Sequence, residues 1–157
     1  HPGSGGSAID LPFKKLKLLV EKLSTRNDVM LIITGTEDER ELCNSLIVNK
    51  NVINTAGKFN LEELITLISK VDLVVANSTG PIHIAAALQK QIIGFYPKFA
   101  AVSPKRWGPY TSKSIIFQPT ICDGNCNRKK CENLDCMNSI EVDEILNSIN
   151  NFITVKN

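Results

Sequence analysis

The chain has 157 residues, 43% hydrophobic and 22% charged, which is the size and make-up of one globular domain with a true hydrophobic core. Its 18 basic and 16 acidic residues leave a net charge of +2, so there is no polyanion footprint and no case for nucleic-acid binding. No apolar run approaches the roughly 20 residues that span a bilayer, no secretory signal is evident, and five cysteines, an odd count, argue for a reducing compartment over a paired secreted framework.

The predicted elements alternate between two apolar periods. His1-Pro2-Gly3-Ser4-Gly5-Gly6-Ser7 reads as the loop after a first strand, which then lies upstream of residue 1 or is reduced to a stub. Helical spacing follows over Leu11–Ser24, starting at Pro12, then a strand over Val29–Thr34 and a helix over Asp38–Val48. A short strand includes Val52 and Ile53, and a helix covers Leu61–Ser69. Val71–Ala76 is almost wholly apolar, as a strand buried on both faces must be. A helix over Pro81–Gln89 and strands over Gln91–Tyr96 and Ser114–Phe117 complete the alternation. In the closing stretch Glu141–Ile153, Val142, Ile145, Leu146, Ile149 and Phe152 form one apolar helix face. Strands alternating with helices imply βαβ units, so the fold class is α/β: a parallel sheet with helices on both faces.

Four loops carry chemistry-bearing residues. The first, Gly3-Ser4-Gly5-Gly6-Ser7-Ala8, lies between strand and helix, where backbone N–H groups can face a phosphate. It matches the dinucleotide pattern G-x-G-x-x-A, yet no acidic residue closes a second strand about 20 residues on. A plain flexible turn stays open beside phosphate binding. The second, Thr34-Gly35-Thr36-Glu37-Asp38-Glu39-Arg40, sits at a strand's C-terminal end, where open α/β sheets bind ligands. Its carboxylates can accept bonds from a nucleoside, or simply favour the next helix N-terminus.

The third is the most specific. Asn77-Ser78-Thr79-Gly80-Pro81-Ile82-His83 joins a buried strand to a small-residue helix containing Ala85, Ala86 and Ala87. Ser78 or Thr79 can cap that helix, Pro81 fits its first turn, and Gly80 lets a ligand approach the backbone. The exposed amides and the helix dipole form a site for a diphosphate, with His83 expected to be neutral in the first turn. The fourth loop, Ser103-Pro104-Lys105-Arg106-Trp107-Gly108-Pro109-Tyr110, offers Lys105 and Arg106 to a phosphate, with Trp107 read as a hydrophobic anchor. Finally, Cys122, Cys126, Cys131 and Cys136 fall in a C-x3-C-x4-C-x4-C run. They can bind a structural zinc, form disulfides on oxidation, or pack as small hydrophobes. Cys43 reads as core.

Taken in order, HPGSGGS, ITGTEDERE, VANSTGPIHIAAAL, SPKRWGPY and the cysteine run ending in Cys136-Met137 resemble glycosyltransferase family 9, the heptosyltransferases. The resemblance covers nearly the whole chain. It implies the C-terminal, donor-binding half of a GT-B enzyme built from two Rossmann-like domains. Residues 1–157 are then the nucleotide-sugar domain, and the acceptor domain with its catalytic carboxylate lies outside this chain. By resemblance, Ser4, Gly5 and Ser7 lie near the donor phosphates, Glu39 near the nucleoside, and Ser78, Thr79, Gly80 and His83 at the diphosphate or sugar, with Arg106 assisting. The implied reaction is an inverting, metal-independent transfer of heptose or a related sugar from an ADP-sugar to a lipid-linked lipopolysaccharide core acceptor. It implies no required cofactor, and a cytoplasmic protein in peripheral contact with the inner membrane. Two positions depart from the family. Ile9 and Leu11 stand where a lysine and a tryptophan are common, and Ser78 stands where Asp often precedes S/T-G-P. Two other readings remain: a non-catalytic domain that keeps the fold, and a dinucleotide-dependent oxidoreductase prompted by the glycine pattern.

Overall fold

A computed structural model describes residues 1–122, 124–133 and 135–154. Helix α1 (Phe13–Ser24) leads to β1 (Leu31–Ile33), α2 (Arg40–Asn44), β2 (Val52–Asn54), α3 (Leu61–Lys70) and β3 (Leu73–Asn77). Then come α4 (Gly80–Ala87), β4 (Gln91–Phe95), a 3-10 turn at Ala100–Val102, α5 (Pro104–Trp107) and β5 (Ser114–Phe117). The chain closes with α6 (Arg128–Asn133), a second 3-10 turn at Cys136–Ser139 and α7 (Val142–Thr154).

All strand pairs are parallel, as the alternation requires, but they fall into two sheets, β1–β2 and β3–β4–β5. Leu31 lies opposite Val52, Leu73 opposite Gln91, and Ile92 opposite Ser114. Two apolar layers sandwich the larger sheet. On one face Leu19 and Leu23 of α1 and Ile145 and Ile149 of α7 pack with Ile93 and Phe95. On the other, Ile68 of α3 and Ile82 and Ala85 of α4 pack with Val74, Ala76, Ile92 and Tyr96. Fully burying one such aliphatic side chain contributes roughly 1.5–3 kcal/mol, so these layers dominate the fold's stability. Gly94 fixes how closely α4 approaches, because a Cβ there would stand 3.0 Å from Ile82 Cδ1 and 2.9 Å from Ile116 Cδ1.

A third cluster joins Val20, Ile33, Cys43, Leu46 and Val52 beside β1–β2, which makes Cys43 a core residue as expected. Helix α2 is shorter than its predicted span. It stops at Asn44, and the following residues continue in turns, with Leu46 N–H and Ile47 N–H donating to the carbonyls of Cys43 and Asn44. Helix α3 begins with a complete capping box: Asn60 Oδ1 accepts from Glu63 N–H at 2.9 Å, and the Glu63 carboxylate accepts from Asn60 N–H at 2.9 Å. Among the described residues no helix is long and apolar enough to cross a membrane.

Candidate functional site

Three loops meet where β1 and β3 end. In the first, Gly5 and Gly6 take left-handed φ values of +56° and +77°, which a side chain would strain, and space stands open where their Cβ atoms would be. Ser4 beneath them is buried. Its carbonyl accepts from Ser7 N–H at 3.0 Å and from Ser7 Oγ at 2.7 Å, and its own Oγ accepts from Ala8 N–H at 3.3 Å. Ser7 Oγ also reaches the Ser78 carbonyl at 3.3 Å, which ties this loop to the turn before α4.

Asn77, at the end of β3, holds the same two segments together from inside. Its side chain is buried, its Oδ1 accepts from Leu11 N–H at 2.8 Å, and its Nδ2 donates to the Pro2 carbonyl at 2.6 Å. One amide therefore satisfies two backbone groups that the core would otherwise leave unpaired.

The second loop leans on the first through Glu39. Its carboxylate accepts from Thr36 N–H at 2.8 Å and from Thr36 Oγ1 at 3.1 Å, so it is held across its own loop while α2 starts behind it. A side chain opposite would have to push it aside. A Cβ on Gly3 would stand 1.8 Å from Glu39 Oε1, and one on Gly35 would stand 3.2 Å from Oε2. His1 completes the contact, with Nδ1 3.0 Å from Thr34 Oγ1 and Nε2 4.0 Å from Glu39 Oε2. Glu37 is occupied separately, in an exposed ion pair with Arg40 that holds its carboxyl below the usual range.

The third loop presents the N-terminus of α4. Thr79 is the N-cap residue, with extended backbone, and its side chain makes no capping bond. Gly80 is exposed with nothing within 4 Å of a notional Cβ, and Pro81 has no N–H to satisfy. His83 in the first turn is exposed. This end of the helix is thus free of its own side chains: Ile82 N–H is taken up by the Thr79 carbonyl at 3.2 Å, and the Gly80 N–H and the helix dipole can meet an anion from solvent. Ser78 is placed differently. It is buried, beside the Tyr96 hydroxyl. Of the pair expected at the cap, Thr79 stands at the open end and Ser78 props the turn from below.

Tyr96 is the anchor of the fourth loop. Fully buried, it donates from its hydroxyl to the Trp107 carbonyl at 3.0 Å, which sets α5 beside the Ser78 turn. Trp107 was expected to be the hydrophobic anchor. Its ring is instead 49% exposed, donates from Nε1 to the Ala101 carbonyl at 2.9 Å and lies under the Arg106 guanidinium at 5.6 Å. Arg106 and Lys105 are both exposed on this short helix.

Sequence reasoning missed two further residues. Arg128 of α6 donates to the carbonyls of Gly6 (2.9 Å) and Ala8 (3.0 Å), so it braces the glycine loop from about 120 positions away. Asp10 lies beside Ser4 of the same loop. Burial raises its carboxyl above the usual range although Ser4 opposes the shift, and its Oδ1 is buried with no partner among the described residues. The departing residues Ile9 and Leu11 point inward: Leu11 is buried in the core and Ile9 packs against it.

The cysteine run comes together in the fold. Among the described residues no group of three or more His, Cys, Asp or Glu side chains is placed to hold a metal ion. Cys122, Cys131 and Cys136 are buried against Phe99, and Cys126 is partly buried beside them, all as free thiols. Cys122 Sγ and Cys126 Sγ are 3.8 Å apart. Burial, and then the neighbouring sulfurs, push the Cys131 thiol up to about 12, so it stays protonated and apolar at neutral pH. The packing alternative describes what is present.

The chain is similar to known proteins along most of its length. The lipopolysaccharide core heptosyltransferase OpsX of Haemophilus influenzae is 48% identical over 100 residues, covering 59% of this chain and 27% of that protein. Among solved structures, the ADP-heptose LPS heptosyltransferase II of E. coli superposes with a TM-score of 0.78 at 20% identity, covering 99% of this chain and 45% of that one. The E. coli heptosyltransferase WaaC, solved with ADP, gives 0.75 at 17% identity, covering 96% and 42%. At these identities the structural likeness bears on fold: an α/β unit matching about half of a GT-B protein. The chain spans less than half the length of these three relatives. A family model described as glycosyltransferase family 9 (heptosyltransferase) matches residues 3–137, and with that match this chain belongs to that family.

Proposed function

We propose that this chain is the nucleotide-sugar-binding domain of an inverting glycosyltransferase that moves a heptose, or a related sugar, from an ADP-sugar to a lipopolysaccharide core acceptor. One observation carries the reading: the glycine loop with its two left-handed residues is tied directly to an α4 N-terminus that no side chain closes. A diphosphate lying there would meet the amides of Gly80 and the glycine loop, the Thr79 hydroxyl and His83. Glu39, across the first loop, would face the nucleoside, and Arg106 would approach from α5. Preorganised dipoles aimed at the departing diphosphate are a large source of rate enhancement in group transfer and need no metal. The acceptor site and the catalytic carboxylate would come from a second domain outside this chain, so residues 1–157 alone would bind donor without turning it over. The protein would work in the cytoplasm, touching the inner membrane peripherally where its lipid-linked acceptor resides.

Calorimetric titration of ADP tests this reading. The expected result is saturable binding, weakened by Thr79→Ala and by His83→Ala with the fold intact. A well-folded domain that shows no heat with ADP or ADP-sugar at millimolar concentration overturns it. That outcome would favour a non-catalytic domain, a reading motivated by the burial of Leu11 and the inward packing of Ile9 at positions where relatives commonly carry donor-facing side chains.

A further inference from the structure

Two sulfurs of the cysteine run are in contact. Cys122 Sγ lies 3.8 Å from Cys126 Sγ, and Gly124 N–H donates to Cys122 Sγ at 3.4 Å, which holds that side chain against its neighbour. Exposure differs across the run: Cys122, Cys131 and Cys136 are buried, and Cys126 is partly exposed. A small reagent therefore meets Cys126 first, and Cys122 stands directly behind it. A disulfide needs its sulfurs about 2.0 Å apart, so closing the pair shortens the gap by about 1.8 Å. The turn between them has room to tighten. Gly124 takes a left-handed φ of +84°, and a Cβ there would come no nearer than 3.5 Å to the Lys98 carbonyl oxygen.

That movement has a short path to the glycine loop. Asn127, the residue after Cys126, opens α6: its Oδ1 accepts from Lys130 N–H at 3.0 Å, and its carbonyl accepts from Cys131 N–H at 3.0 Å. A displacement of Cys126 is carried through this capped turn to Arg128. The guanidinium is committed on three sides, with Nη1 on the Gly6 carbonyl, Nη2 on the Ala8 carbonyl and Nε donating to Glu132 at 2.8 Å. It cannot shift without drawing on the two loop carbonyls.

We propose that Cys122 and Cys126 form a reversible disulfide site, with a low-molecular-weight disulfide as oxidant, and that its closure shifts the glycine loop through Arg128. The Cys126 thiolate attacks one sulfur of the reagent, whose S–S bond breaks, and the first small thiol leaves with the proton that Cys126 gave up. Cys122 then attacks the Cys126 sulfur, the mixed S–S bond breaks, and the second small thiol leaves with the Cys122 proton. The protein loses two hydrogens and two electrons, and one small disulfide becomes two thiols. Burial, and then Cys122, keep the Cys126 thiol above its usual range, so the first step is slow at neutral pH. A stabilised thiolate is what makes a disulfide easy to reduce; this pair lacks one at Cys126, so the bond persists once formed. Cys131, pushed up to about 12, stays out of the exchange.

The test treats the reduced full chain with excess glutathione disulfide at pH 8, with no nucleotide present, so the outcome is independent of donor binding. The intact mass should fall by two hydrogens with no glutathione retained, and peptide mapping should find Cys122 joined to Cys126. The amide resonances of Ser7 and Ile9, which share peptide units with the Gly6 and Ala8 carbonyls, should move and return with dithiothreitol. Cys126→Ser should lose thiols about tenfold or more slowly than the wild type. Arg128→Gln should form the disulfide while its Ser7 and Ile9 resonances stay in place. Thiols that persist under excess oxidant, a retained glutathione adduct, or pairing through Cys131 or Cys136 overturns the proposal. So does a disulfide that leaves Ser7 and Ile9 unmoved in the wild type, or one that moves them equally in Arg128→Gln.

Discussion

Asn77→Ala removes both buried bonds of one side chain. The substitution leaves Leu11 N–H and the Pro2 carbonyl without partners in the interior. Each buried polar group so orphaned costs about 1–3 kcal/mol, for a predicted total of about 2–6 kcal/mol. For a domain of this size the melting temperature should fall by about 2–4 °C for each kcal/mol. Circular dichroism melts and urea titrations of the wild type and the variant measure both quantities. Asn77→Asp separates the two bonds. A carboxylate still accepts from Leu11 N–H but faces the Pro2 carbonyl with no proton to give. It should therefore be destabilised at pH 7 and recover towards wild type under acid, once the carboxyl is protonated and can donate. A loss of only about 0.5 kcal/mol for Asn77→Ala, the range of an ordinary surface change, would refute the clamp.

Two further predictions concern groups whose ionisation the fold opposes. Burial raises the Asp10 carboxyl, so the folded state holds its proton more tightly than the unfolded chain does. Stability should therefore decline as pH rises from 3.8 through the folded value, and Asp10→Asn should melt above wild type at pH 7, with the difference vanishing in stronger acid. The Cys131 thiol, pushed from 9.0 up to about 12, gives a loss of stability between those two pH values for the same reason. At pH 8 a thiol reagent should label the partly exposed Cys126 first and reach Cys131 only when urea unfolds the domain; labelling of native Cys131 at the rate of Cys126 would contradict the packed cluster.

What the sequence reveals and conceals follows from how local each signal is. The strands β3 and β4 are legible because they are buried on both faces and must be nearly continuous apolar runs. The entry to α4 is legible because Pro81 and Gly80 can serve few other purposes at that spacing. Residues such as Arg128 have no such signature. Its role depends on two carbonyls in a loop about 120 residues away, and nothing in its neighbours marks it. Tyr96 and Trp107 show a subtler failure: both are large aromatics near one loop, and only packing decides that Tyr96 is buried and Trp107 half out. The cysteine spacing by itself leaves zinc, disulfides and packing open, and the fold gathers these residues as buried thiols around Phe99.

The proposed function requires a diphosphate seated against the open N-terminus of α4 and the glycine loop. Titrating ADP into isotopically labelled protein and following backbone amide resonances tests it most directly. The largest shifts should fall at Gly5, Gly6 and Gly80, with His83 beside them, and inorganic pyrophosphate should reproduce the shifts at Gly80. Binding that leaves Gly80 and the glycine loop unmoved while shifting amides elsewhere would contradict it.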